Sequence, residues 1–238
     1  MLWYKAWIET RARFLAALFG ITFVISVILQ HYETVINPPV LYNNHFVSFA
    51  HTYVMGMWLL SVVLFAMGGL RREQAVGASS FTLALPVSRT RLLGIRIVVG
   101  ISQAILAAVF PWLAILFISD HAGKPFPISQ AGLYLLLLLS GGFVYFSLAV
   151  LISTLIEGEY TAPAIAYGIT ILTVILFGNT SFTDPYLNIG KFMTGGFLFS
   201  TRAYLLRPEI PWPGLISCWT AAALLLFASI QVTNRHEF

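Results

Sequence analysis

The sequence predicts an all-α membrane protein. It has six transmembrane helices, an N-terminal amphipathic interfacial helix, a short cytoplasmic helix between spans 2 and 3, and an external re-entrant segment before span 6. Three observations lead there. Only 9 % of the 238 residues are charged and 58 % are hydrophobic, whereas a soluble domain carries about a quarter of its residues as charges. The apolar residues are gathered into six stretches free of Asp, Glu, Lys and Arg: 14–32, 34–70, 97–119, 125–156, 160–183 and 210–234. Each can hold the ~20 helical residues, at ~1.5 Å apiece, that cross a hydrocarbon core of ~30 Å. The chain reads as a single transmembrane domain over residues 1–238.

The first element is residues 1–13, "MLWYKAWIETRAR". Trp3, Trp7 and Thr10 recur at three to four residues, while Lys5, Glu9 and Arg13 stand four apart, so Glu9 can pair with either cation. Aromatic residues on one side and charges on another suit a helix lying along a membrane surface, and equally an anchoring flank of the first span; the two do not exclude each other. The first apolar run ends "ISVILQHYE" with no small-residue cleavage site, so it is a retained span and not a signal peptide. The spans fall near 14–30, 51–70, 95–119, 132–156, 160–178 and 213–231, joined by a cytoplasmic loop at 71–94 and an external loop at 179–212. Pro111 removes a backbone bond inside the third span and predicts a kink there.

Charge sets the orientation. Lys5, Arg11, Arg13, Arg71, Arg72, Arg89, Arg91, Arg96 and Arg235 fall on one side of a six-span arrangement, and Lys124, Lys191, Arg202 and Arg207 on the other. Basic residues accumulate in the cytoplasm, which places both termini of this multi-pass protein there. The net charge of +4 therefore reflects topology and lipid contact, not nucleic acid. Residues 192–206, "FMTGGFLFSTRAYLL", contain Arg202 and reach only about 22 Å as a helix, too short to cross. A re-entrant or interfacial helix packed against the bundle fits them better.

Several chemistries are missing. There is no GxxxxGK[ST] phosphate loop, no HExxH zinc motif and no GxSxG elbow, so no catalytic residue is expected on this chain. The single Cys218 offers no disulfide and no cysteine metal site. No substrate-binding or metal-ligating residue can be assigned. Ser140-Gly141-Gly142 reads as close helix packing. Ionisable groups are absent from the spans apart from His51 and Arg96 at span ends, and proton-coupled carriers usually keep an acid or histidine within the bundle. Glu157 and Glu159 solvate a tight turn, whereas Ser102, Gln103 and Thr170 are neutral groups that could hold sodium. His31, His45, His51 and His121 fall on the external side as interfacial polar residues, and no pair has i, i+4 spacing.

The segment "LRREQAVGASSFTLALPVSRTRLLGIR", residues 70–96, concentrates five arginines around one acid, Glu73. Gly77 marks a turn, and Leu85-Pro86 opens a short helix through Arg91, since proline favours a first helical turn. A topology anchor would need only the arginines. The ordered Glu73, Gly77, Leu85, Pro86, Val87, Ser88 and Arg89 resemble the membrane subunits of type-2 ABC exporters, with Ala78 where that family often has threonine. Six spans, the N-terminal helix and the external segment are similar as well.

The resemblance implies that residues 71–94 hold a coupling helix seated on a separate ATP-binding subunit. Glu73, Arg89 and Arg91 would make contacts there, with Gly77, Leu85, Pro86, Val87 and Ser88 shaping the element. It further implies two ATP-binding subunits per complex carrying ATP and Mg, no cofactor on this chain, and a second permease subunit in a homodimer or heterodimer. The first, second and fifth spans would line the path. Uncharged spans favour an apolar or amphipathic cargo: lipid, drug or peptide. Two other readings stay open, an ion-coupled secondary carrier and a membrane assembly factor handling metal or haem through the external histidines.

Overall fold

The structure is a computed structural model that describes residues 2–33, 47–67, 88–156, 160–178, 188–200 and 205–235. In chain order the described helices are α1 (Leu2–Glu33), α2 (Val47–Ala66), α3 (Arg89–His121), α4 (Ile128–Leu155), α5 (Thr161–Gly178), α6 (Ile189–Thr194) and α7 (Trp212–Arg235). A two-residue antiparallel pair, β1 (Phe199–Ser200) with β2 (Leu205–Leu206), joins Phe199 to Leu206 and Ser200 to Leu205. Among the described residues, α1, α2, α3, α4 and α7 are long and apolar enough to cross a membrane. The 18 residues of α5 reach about 27 Å and form a shorter apolar helix. The all-α membrane class predicted from composition is what the chain folds into, and five long apolar helices make it a multi-pass type.

One element differs from expectation. Residues 1–13 do not form a helix separate from the first span: α1 is unbroken from Leu2 to Glu33. Nothing in the stretch stops a helix, because it has neither Pro nor Gly before Gly20 and its polar residues carry good helix propensity. Of the short helix expected over Leu85–Arg91, only residues 88–91 fall among the described residues. Ser88 has an extended backbone (φ −65°, ψ 144°) and its hydroxyl accepts from the Arg91 amide at 3.4 Å, so Ser88 is the N-cap. Arg89 and Arg91 thus belong to the first turn of α3. Residues 68–87, with Glu73, Gly77, Leu85, Pro86 and Val87, lie outside the described residues.

Helix α3 continues through Pro111 to His121, where Gly123 turns the chain at φ +68°. Three prolines mark the helix starts that follow: Pro127 is the N-cap of α4, and Pro163 and Pro213 sit in the first turns of α5 and α7, where a missing N–H is harmless. Helices α2 and α4 are the most enclosed, and α1 and α7 the least. At the centre are Trp58, Phe146, Leu137 and Leu138, all fully buried. Small residues bring α4 close to its neighbours: a Cβ on Gly142 would run into the Trp58 ring, and one on Gly141 into Met193. The Ser140-Gly141-Gly142 step is therefore the packing site that its composition suggests, and Trp219 of α7 donates to the Ser140 hydroxyl at 3.2 Å.

The segment after α5 folds back on the bundle. Asn188 caps α6 by accepting from the Lys191 amide at 3.0 Å, and Gly195, at φ +68°, ends it. A turn then leads into the β1–β2 pair. Phe192, Met193, Leu198 and Leu206 of this cap are buried. A six-residue helix and a two-residue pair are far too short to cross, and α6 packs against α4, α5 and α2.

Candidate functional site

Two polar clusters occupy opposite ends of α2. The first lies at its C-terminal end and is built mainly by α1. The Arg13 guanidinium donates to the carbonyls of Leu64 at 3.4 Å and Met67 at 3.3 Å. The last carbonyls of a helix have no partner within it and carry partial negative charge, so a cation there both completes hydrogen bonds and meets the helix dipole. Glu9, one turn earlier, pairs with Arg96 of α3 at 3.2 Å and with Lys5 at 3.8 Å. Arg13 thus turns to α2, and Glu9 finds its closer partner 87 residues away. Thr10 accepts from the Gln103 amide at 2.7 Å. Arg96 and Gln103, seven residues apart, lie on one face of α3 and meet adjacent residues of α1. Tyr167 of α5 donates to the Leu60 carbonyl at 2.6 Å, tying α5 to the same stretch of α2.

These contacts brace α1, α2 and α3 where the chain leaves α2 and re-enters at α3. Of the expected site residues, Ser88, Arg89 and Arg91 fall among the described residues, at the start of α3. Ser88 and Arg91 are exposed, and Arg89 opens α3. Sequence reasoning missed Arg96 and Gln103 as partners of α1. Their i, i+7 spacing was the available signal, but it does not say which helix would face them. Two other groups noted as sodium ligands are satisfied within their own helices: Ser102 bonds the Val98 carbonyl, and Thr170 that of Ala166, each at 2.8 Å.

The second cluster lies at the other end of α2, beneath the cap. His51 is buried, and its Nε2 stands 2.9 Å from the Met193 carbonyl of α6. Its ring packs on Tyr134 of α4 (centroids 4.7 Å apart) and Trp112 of α3 (5.6 Å). Trp112 stacks on Tyr134 at 5.3 Å and meets Phe126 at 6.1 Å. A second tether is the Gln130 amide, which donates to the Leu206 carbonyl and accepts from the Leu206 amide, both at 3.0 Å. One side chain thereby serves both backbone groups of a buried strand residue. His51 is thus a core residue and not an interfacial one. His121 is exposed and stacks on Phe117, and His45 lies outside the described residues. Among the described residues no three His, Cys, Asp or Glu side chains gather in a metal-binding group.

The fold and these two clusters define a class: a multi-pass helical membrane protein, braced at one end and capped at the other. No protein-family model, no curated protein and no solved structure matches the chain.

Proposed function

We propose that the chain is the membrane permease subunit of an ATP-driven exporter of the type-2 ABC kind, moving an apolar or amphipathic cargo (lipid, drug or peptide) across a bacterial inner membrane. ATP and Mg are held by two separate ATP-binding subunits, and a second permease subunit completes a homodimer or heterodimer. The observation that carries this reading is the brace at the C-terminal end of α2. Both ends of the segment that would meet the ATPase are tied to α1, one through Arg13 at Leu64 and Met67, the other through Glu9 at Arg96. A force delivered to residues 71–94 would then move three helices together.

Six crossings follow on this reading. α5 begins just after the end of α4, whereas the cap that follows α5 is fastened to the start of α4 through Gln130. A crossing by α5, the described helix between them, fits this arrangement and supports the sixth span. Both termini then fall on the braced side, which the basic residues make cytoplasmic.

The test is purification with the neighbouring ATP-binding subunit. The double substitution Glu73→Ala with Arg89→Ala is expected to release that subunit and lower ATP-dependent transport. Undiminished binding together with wild-type ATPase stimulation would remove the coupling role from this loop.

A further inference from the structure

Five buried side-chain atoms lack a hydrogen-bond partner among the described residues: Thr22 Oγ1, Gln103 Oε1, Ser119 Oγ, His51 Nδ1 and Trp112 Nε1. They are not equivalent. Thr22 and Ser119 carry rotatable hydroxyls inside helices, where such groups commonly bond the carbonyl of the preceding turn, as Ser26, Ser102 and Thr170 do here. Gln103 is already anchored through its Nε2 to Thr10. The two ring nitrogens have no such freedom. His51 is held by the Met193 carbonyl and by the faces of Tyr134 and Trp112, and Trp112 is stacked on Tyr134 at an interplanar angle of 21°. A rotor can find a carbonyl; a stacked ring cannot.

The two nitrogens are also complementary. In the neutral imidazole a carbonyl at Nε2 places the proton there, which leaves Nδ1 as an acceptor. The Trp112 nitrogen is a donor only. The two rings are in contact, with centroids 5.6 Å apart, and both nitrogens are buried without a partner among the described residues. An oxygen that both accepts and donates satisfies the pair, whereas an ether or carbonyl satisfies only Trp112 and an ammonium only His51.

We propose that His51 and Trp112, beneath the cap, form a buried site for a single hydroxyl group, which accepts from Trp112 Nε1 and donates to His51 Nδ1. The hydroxyl belongs either to an alcohol-bearing amphiphile or to a resident water. The site stands on two complementary unpartnered nitrogens carried by rings in contact, so it is independent of the permease reading. His51 and Trp112 sit at 1 % and 2 % exposure, so a guest of more than water size enters only through a local opening of the packing around them.

The experiment uses the full chain, labelled with nitrogen-15 histidine, with His51 assigned by its loss in His51→Gln. The expected spectrum has Nε2 protonated and Nδ1 unprotonated, the latter displaced upfield from a bare lone pair because it accepts a hydrogen bond. In Trp112→Phe that displacement is reduced. Addition of 1-octanol, with octane as control, separates the two sources. A shift with the alcohol alone identifies an amphiphile's hydroxyl, and an accepting Nδ1 indifferent to both identifies water. A protonated Nδ1, or an Nδ1 at the position of a free lone pair, overturns the site. Should Trp112→Phe not fold, the Nδ1 resonance of the unaltered protein decides by itself.

Discussion

The ring of Trp58 fills the space that a side chain on Gly142 would need, and its Nε1 donates to the Ala104 carbonyl at 2.8 Å. One residue of α2 thus locks α4 on one side and α3 on the other. Gly142→Ala should destabilise the protein by about 1–3 kcal/mol, as overpacking does, and Trp58→Ala by about 3–5 kcal/mol, as truncation of a large core residue does. Gly141→Ala meets Met193, a flexible side chain, and should lose less. Thermal unfolding in detergent ranks the three. A Gly142→Ala protein that melts with the wild type would remove the lock.

Arg13 completes the last turn of α2 from another helix. In Arg13→Gln the Leu64 and Met67 carbonyls lose a charged donor, with a penalty of about 1 kcal/mol. Hydrogen exchange is the sensitive reading. Amides of residues 62–67 should exchange faster, while those near His51 at the other end of α2 should not. Uniform acceleration would point to general loosening instead.

The Glu9–Arg96 pair is partly exposed, with side chains 35 % and 18 % accessible, so its direct contribution is small, about 0.5 kcal/mol by a double-mutant cycle. Its role on the proposed reading is mechanical. Glu9→Gln with Arg96→Gln should leave the melting temperature nearly unchanged while lowering transport per ATP hydrolysed. Exchanging the charges, Glu9→Arg with Arg96→Glu, should restore part of the loss. Wild-type coupling in the double glutamine protein would separate the brace from function.

Gln130 holds Leu206 by both backbone groups in a buried setting. Gln130→Ala leaves an amide and a carbonyl without that partner, a loss of about 1–3 kcal/mol for each group that stays buried. The structure then relieves itself by lifting the cap. Limited proteolysis within 195–211 should accelerate strongly in this variant and little in Gln130→Glu, which keeps the acceptor for the Leu206 amide. Equal cleavage of Gln130→Ala and wild type would contradict the tether.

The positions of the helices were legible in the sequence. Each charge-free stretch contains or borders a helix, and the described ends fall within a few residues of expectation except where α1 and α3 run on past the apolar core. Charged residues such as Lys5, Glu9, Arg11 and Arg91 signal where the hydrocarbon stops, not where the helix stops; α1 meets no proline or glycine before Gly20, and the lone Gly94 in the extension of α3 costs only about 1 kcal/mol, too little to end the helix. At the other end of the chain, the pattern of 192–206 ruled out a crossing but could not foresee the short helix and strand pair.

The candidate sites were far less visible. His51 reads in sequence like any polar residue near a span end. Its burial depends on α6 closing over it, and the contact to Met193 joins residues 142 apart. Transfer from water to lipid is a local quantity that sums along a stretch, so the sequence by itself determined the membrane class, the apolar runs and the short reach of the cap. Which faces of those helices meet is decided by packing of shapes across the bundle. Only the tertiary structure brought Arg13 to the end of α2, Glu9 to Arg96 and His51 beside Trp112, because hydrogen bonds and stacked rings require atoms within a few ångströms, and no spacing along one helix specifies its neighbour.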